Sequence, residues 1–313
     1  MNLQHEVPVT VKVSERHALT PLISRFRLES ADGSPLPAFT AGSHIEVQIT
    51  PELSRAYSLC SDPAQRGYYD IAVRREDAGR GGSKALHALA LPGAEFQVSA
   101  PNNCFPLEQR AAHHLLIGGG VGLTPLMAMA HELAAKGEDF SIIACASDEA
   151  SLPFAAELAA SGWDVTTLFG VRSCMDLSTV LSSLPGSTHV YCCGPNGFID
   201  LVREQCSMLP AGCWHEESFA PLENLADKGY ELYLSESDLT VPVAAGSSML
   251  AALRQAGIHV DTTCEQGICG SCVVAWKDGD PEHHDQCLED EEREEYVALC
   301  CGGCRSERLT LEL

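Results

Sequence analysis

The stretch CEQGICGSC at 264–272 restricts the fold more than any other part of the chain. Cys264, Cys269 and Cys272 are separated by four and then two residues, with glycines at 267 and 270. Side chains so spaced sit on a single loop, and four chemistries use such a loop. A disulfide is disfavoured in a reducing compartment. A redox C-x-x-C accounts for Cys269 and Cys272 but leaves Cys264 unexplained, and the strand–helix setting of that motif is missing. Zinc is the serious rival, because Cys301 and Cys304 form a second C-x-x-C. The gap between the two halves, however, exceeds the roughly 15–20 residues of four-cysteine zinc sites. The spacing C-x4-C-x2-C followed by a distant cysteine is that of plant-type [2Fe–2S] loops, with Cys300 or Cys301 as the fourth ligand. Small residues at 267, 270 and 271 allow backbone N–H groups to approach the sulfurs.

The chain contains fifteen cysteines, an odd number that cannot pair completely within one molecule. Those outside the C-terminal set, such as Cys60, Cys145 and Cys206, read as small buried apolar residues. The opening MNLQHEVPVTVKV lacks a basic stretch followed by an apolar run, which argues against a signal peptide. No segment approaches the roughly 18–20 apolar residues of a membrane span. A cytoplasmic location is expected.

Three patterns follow one another along the 313 residues. Up to residue 108, short alternating runs such as VPVTVKV, HIEVQI, YYDIAVR and AEFQVSA are broken by Pro, Gly and Asp turns, which predicts an antiparallel β-barrel. From 109 to 225, the buried runs HHLLI, SIIACAS, DVTTLFG and HVYCCGP alternate with helical stretches, which predicts an α/β parallel sheet. From 226 to 313, strands YELYL, LTVPV, CVVAW and RLTLEL surround the helix SSMLAALRQAG and the cysteine loop, which predicts an α+β domain.

Two further motifs offer anion sites. GRGGS at 79–83 supplies Arg80, the amides of Gly81 and Gly82 and the Ser83 hydroxyl, in front of the helical run SKALHAL. GGGVGLTP at 118–125 follows an apolar strand, with Thr124 expected as N-cap and Pro125 at the first helical position. It departs from G-x-G-x-x-G, yet Gly118, Gly119, Gly120 and Gly122 in a strand–turn–helix setting suit a pyrophosphate. Asp148 closes a second strand, where an acid accepts from a ribose 2′-hydroxyl and no Lys or Arg is placed for a 2′-phosphate. NADH is therefore preferred over NADPH, although Asp148 serves equally as a helix cap.

Taken together, DTTCEQGICGSCVVAWKDGDPEHHDQCL, ALCCGGCRSERLTLEL, RAYSL at 55–59, GRGGS, GGGVGLTP and CCGPNGF at 192–198 resemble the phthalate dioxygenase reductase family. That family includes the vanillate demethylase and carnitine monooxygenase reductases, and the likeness runs over the whole chain in the order flavin, nicotinamide, ferredoxin. It implies that Arg55, Tyr57 and Ser58 contact a flavin, with Ser58 near N5, and that GRGGS holds the phosphate of FMN, which is favoured over FAD. It places Cys193, Gly194 and Pro195 at the nicotinamide and Phe219 against the flavin ring. It selects Cys300 as fourth cluster ligand beside Cys264, Cys269 and Cys272, and a β-grasp for the last domain. The implied activity is electron transfer from NADH through FMN and a [2Fe–2S] cluster to a terminal Rieske oxygenase component. Ser58, Cys193 and Phe219 then position the reacting rings. A reductase for another acceptor, or a zinc-stabilised flavin-binding module without turnover, are the rival readings.

The formal charge of −23 argues against a nucleic-acid partner and disfavours an anionic membrane surface. Residues 226–313 hold 18 Asp and Glu against 6 Lys and Arg, most densely in EDEEREEY at 289–296. Such a run is either a solvated helix face or a docking patch for a basic partner. A monomer is expected.

Overall fold

A computed structural model describes residues 8–51, 53–79, 81–170, 177–219, 228–262, 265, 267, 270–285 and 287–313, the side chains of 178 and 179 excepted. The chain divides into two compact units, Met1–Phe219 and Ala220–Leu313.

The first unit opens with β1 (Val9–Ala18), β2 (Ile23–Ser30), β3 (Ser43–Thr50), β4 (Leu53–Ser58), β5 (Tyr68–Arg74), α1 (Gly82–Leu89), β6 (Glu95–Val98) and β7 (Asn102–Asn103). The strands pair antiparallel in the order β4-β3-β6-β1-β2-β5, with β7 added to β3. A single bridge, Leu59 to Ile71, joins the two ends of this path, so the sheet is nearly a closed barrel. Its inward face is Val11, Val13, Phe26, Leu28, Ile45 and Val47, all buried. These alternate with more exposed neighbours, as one packed face requires.

A parallel sheet follows, built from β8 (His113–Gly119), α2 (Leu123–Lys136), β9 (Phe140–Ala146), α3 (Ala155–Ala160), β10 (Asp164–Phe169), α4 (Ser178–Ser183), β11 (Thr188–Gly194), α5 (Asn196–Gln205) and β12 (Trp214–Ser218). Its order is β10-β9-β8-β11-β12, so the chain reverses direction of travel between β8 and β11. In open α/β sheets the crevice at the carboxyl ends of two such strands is where ligands bind. All seven residues of β8 are buried, as befits a central strand covered on both faces. The first turns of α2 are buried all round, from Leu123 to Ala130. One apolar core contains Leu123, Met127 and Ala130 together with Val11, Phe26 and Ile45 of the barrel, so the two sheets share their interior. Glu132 of α2 also accepts from the Ala41 amide at 2.8 Å.

The second unit contains β13 (Tyr230–Leu234), β14 (Leu239–Val243), α6 (Met249–Gln255), β15 (Val273–Asp278), β16 (Pro281–Glu282), β17 (Tyr296–Ala298), β18 (Gly303–Cys304) and β19 (Arg308–Leu311). Five of these strands form a sheet in the order β14-β13-β19-β15-β17, with β13 and β19 parallel. The helix α6 starts at Ser248, whose hydroxyl accepts from the Ala251 amide, and buries Met249 and Leu253 in a core with Leu232, Leu309 and Leu311. This is the α+β arrangement expected of the last segment. The cysteine loop lies between α6 and β15. The acidic run 289–296 forms a 3-10 turn at Glu292–Glu294 rather than a regular helix. Among the described residues, no helix is long and apolar enough to cross a membrane.

Candidate functional site

Register alone assembles the first site. In the parallel sheet Cys193 of β11 stands beside Gly118 of β8 on one side and Glu217 of β12 on the other. Cys193 is fully buried, and that burial raises its thiol pKa well above the ordinary range, so it is a neutral thiol. Ser58 comes from the end of β4 in the barrel and donates to Glu217 Oε2 at 3.5 Å. Both are enclosed, Ser58 at 6% and Glu217 at 3% exposure. Loss of hydration pushes the Glu217 carboxyl up to about 8, and the Ser58 hydrogen bond only partly offsets this.

Glu217 is not among the residues that the sequence singles out, although Phe219, two positions on, is. Its signal is a carboxylate at the inward position of a strand. A second omission is His44, opposite Ser58 in the β3–β4 ladder. It is buried, its Nδ1 has no hydrogen-bond partner, and burial pushes its imidazole down to about 4, so the ring is neutral near pH 7.

The barrel residues fit a flavin. The hydroxyl of Tyr57 is buried without a hydrogen-bond partner, a group that a bound polar molecule would satisfy. Gly81 precedes α1 with φ 86°, a left-handed conformation that glycine adopts without penalty. A Cβ at Gly82 would stand 2.7 Å from Arg55 Cγ and 2.9 Å from its Nε, so the Arg55 side chain lies directly on the helix N-terminus. A guanidinium over a helix N-terminus is an anion site. Ser83 falls inside the helix, where its hydroxyl accepts from the Glu76 amide at 3.0 Å. Arg80 lies outside the described residues. Phe219 is partly buried and packs against the shared core.

In the glycine turn after β8, Gly120 has φ 57° and open space where a Cβ would stand, so its backbone is approachable by a dinucleotide, whereas its neighbours are packed against the chain itself. Gly122 packs so tightly against the β11 end that a Cβ there would collide with the Cys193 carbonyl. Gly119 and Gly194 are both covered by the Phe198 ring. The helix begins earlier than expected. A 3-10 turn over Gly120–Gly122 leads straight into α2, whose N-cap is Gly122 and not Thr124. Thr124 is already helical, and its hydroxyl donates to the Val121 carbonyl at 2.8 Å. Pro125 is the third helical residue and, like Thr124, buried. Pro195 is the N-cap residue of α5, so the C-G-P turn delivers the chain into a helix at the same crevice. Asp148 caps the 3-10 turn Glu149–Ser151 by accepting from the Ser151 amide at 2.9 Å.

In the second unit Cys264 and Cys269 fall outside the described residues. The other two expected ligands come together. The Cys300 thiol is within hydrogen-bond reach of the Cys272 and Cys301 thiols and of the Gly267 backbone. Leu299 donates its amide to the Cys272 carbonyl at 3.2 Å, which ties the loop to the 298–301 turn. Cys301 is 1% exposed, and its thiol donates to the Ala298 carbonyl at 3.8 Å. Two adjacent thiols beside a backbone N–H suit a sulfur-ligated cluster. Among the described residues, no group of three His, Cys, Asp or Glu side chains is disposed to hold a single metal ion.

Residues 10–105 match the family described as oxidoreductase FAD-binding domain, and residues 232–303 the 2Fe-2S iron-sulfur cluster binding domain. The phthalate dioxygenase reductase of Burkholderia cepacia is 34% identical over 97% of each chain. A solved structure of phthalate dioxygenase reductase, titled as a modular structure for electron transfer from pyridine nucleotides to [2Fe-2S], superposes with a TM-score of 0.76 at 34% identity over 98% of both chains. An intact type IV self-sufficient cytochrome P450 monooxygenase is 35% identical with a TM-score of 0.80, over 98% of this chain and 41% of that one.

Proposed function

The chain belongs to the phthalate dioxygenase reductase family, and on that premise we propose that it carries electrons from NADH through FMN and a [2Fe–2S] cluster to the terminal component of a Rieske oxygenase. Residues 1–108 serve the flavin, 109–225 the nucleotide and 226–313 the cluster. The convergence of Ser58, Cys193 and Glu217 from three strands carries this reading, because it brings the flavin motif and the nicotinamide motif into direct contact.

A flavin bound there would supply the conversion between a two-electron donor and a one-electron cluster. The chain contributes alignment. Arg55 and the α1 N-terminus bind the phosphate of FMN with Arg80, Gly81, Gly82 and Ser83, and Tyr57 places its hydroxyl toward the cofactor. Gly118, Gly119, Gly120 and Gly122, followed by Thr124 and Pro125, admit the pyrophosphate, and Asp148 receives the ribose. We assign the nicotinamide ring to the strand end formed by neutral Cys193, Gly194 and Pro195, and Phe219 covers the flavin. Ser58 presents its hydroxyl to the reacting edge while the neutral Glu217 carboxyl holds that hydroxyl in place. Packing of this kind sets distance and excludes water, which is most of what hydride transfer asks of a protein. Cys264, Cys269, Cys272 and Cys300 hold the cluster. We assign the protein to the cytoplasm, where such thiols stay reduced, and to a monomeric state.

A reductive titration of anaerobically purified protein tests the reading. NADH should bleach the flavin and then the iron–sulfur absorbance. Flavin bleaching without any cluster reduction would refute the relay. Metal analysis separates the zinc alternative, since zinc in place of about two irons and matching sulfide would remove the cluster.

The partner surface we assign is the acidic run 289–295, where Glu289, Asp290, Glu291, Glu294 and Glu295 are exposed. Opposed charge raises encounter rates more than it raises affinity. Reversal of three of these charges is expected to slow reduction of the oxygenase about tenfold or more at low salt. NADH oxidation with a small artificial acceptor should stay unchanged. Equal losses in the two assays would remove the docking role.

A further inference from the structure

Two residues that flank Cys264 in sequence are fastened by a side chain of α6. Arg254, in the last turn of α6, donates through Nη2 to Thr262 Oγ1 at 2.6 Å and to Glu265 Oε1 at 2.9 Å. Those two residues bracket Cys264, one standing two positions before it and the other directly after. Glu265 has φ 54°, a left-handed conformation uncommon for a residue with a side chain. Such a conformation persists where its surroundings enforce it.

The helix end that provides Arg254 is itself rigid. Leu253 is fully buried in the core, and the Leu250 amide donates to the Leu299 carbonyl at 3.1 Å, next to Cys300. A cation is also favoured at a helix C-terminus. Of the other described cations of this unit, Lys277 pairs with Glu312, Arg293 with Asp285 and Asp290, Arg305 with Asp280 and Glu282, and Arg308 with Glu231. Among these described cations, Arg254 is the one bonded to the cysteine loop.

We infer that Arg254 is a positioning residue for the cluster: it holds Thr262 and Glu265, which flank Cys264 in sequence, and places a positive charge there, and so sets the cluster's reduction potential. The inference rests on the cluster assignment made above. Its direction follows from charge. The reduced cluster bears one more negative charge than the oxidised one, so loss of a positive charge beside a ligand disfavours reduction, and loss of a negative one favours it. About half of the Arg254 side chain is exposed, so its ion pair adds little to global stability, and the effect is confined to the loop.

The test uses full-length protein with its cluster, in the variants Arg254→Gln, Arg254→Lys, Glu265→Gln and Arg254→Gln/Glu265→Gln. Reduction is followed by EPR in a redox titration, and cluster loss by bleaching in the presence of an iron chelator. Arg254→Gln should shift the reduction equilibrium about fivefold toward the oxidised form, ~40 mV at 59 mV per tenfold for one electron. Glu265→Gln should shift it the opposite way, and the double variant should return near the parent. Arg254→Lys keeps the charge but loses the fork, so its potential should hold while chelator bleaching speeds up several-fold. Arg254→Gln with two irons per chain and an unmoved potential overturns the inference. Should that variant lose its cluster, Glu265→Gln decides: a raised potential supports the inference and an unmoved one refutes it. A parent protein without two irons and sulfide would instead refute the cluster assignment.

Discussion

Cys300→Ser is expected to yield protein with almost no native iron–sulfur absorbance or EPR signal, whereas Cys301→Ser should retain about two irons per chain. The two cysteines are adjacent, and spacing alone leaves both open. Their surroundings differ. The Cys300 thiol is within hydrogen-bond reach of the Cys272 thiol and the Gly267 backbone. Cys301 spends its thiol on the Ala298 carbonyl and is 1% exposed against 7% for Cys300. A buried thiol so engaged behaves as a small apolar side chain. Serine at 300 would offer a hard oxygen where the cluster needs a thiolate, and ligand loss in a metal-dependent fold also weakens folding. Iron and sulfide content with the EPR spectrum of the dithionite-reduced protein checks both variants. Retention of the cluster in Cys300→Ser and its loss in Cys301→Ser would reassign the ligand.

Glu217→Gln is expected to flatten the pH dependence of stability. The Glu217 carboxyl is raised from 4.5 in the unfolded chain to about 8 in the folded one. A carboxyl shifted upward contributes fully below the unfolded value, and that contribution is lost as pH rises toward the folded value. At ~1.36 kcal/mol per pH unit the loss between pH 5.5 and 8.5 is roughly 3 kcal/mol. Glutamine keeps a hydrogen-bonding partner for Ser58 and has no proton to lose. Urea unfolding at the two pH values, followed by circular dichroism and flavin release, should therefore show a smaller pH-dependent drop in the variant by roughly that amount. Equal drops in parent and variant would mean that the carboxyl is not held neutral.

Much of the architecture could be read from periodicity. The runs HIEVQI, YYDIAVR, HHLLI and SIIACAS coincide with β3, β5, β8 and β9, and YELYL and LTVPV with β13 and β14. Alternation and uninterrupted burial are local properties, so a local reading finds them. β12 escaped because WHEES has no apolar run, its burial being supplied by its neighbour β11. Glu217 escaped for the same reason. A carboxylate is ordinarily a surface residue, and only the register with Cys193 and the approach of Ser58 bury it between the two motifs. The helix start at Leu123 rather than beyond Thr124 shows another limit, since a threonine before a proline carries the signature of a cap wherever the preceding turn is not seen. The closed end of the barrel rests on one bridge between residues twelve positions apart, Leu59 and Ile71, which no sequence pattern announces.

The interior shared by the barrel and the parallel sheet has a consequence for how chains of this kind can be recombined. A cut between residues 108 and 109 would divide the core in which Phe26 and Ile45 pack with Leu123 and Met127, and it would leave two raw oily faces. A cut near 220 crosses neither that core nor the one around Leu232 and Leu309. The electron-exporting module is thus a cassette that evolution or an engineer can trade at one seam, whereas the flavin and nucleotide halves are inherited as a single indivisible piece.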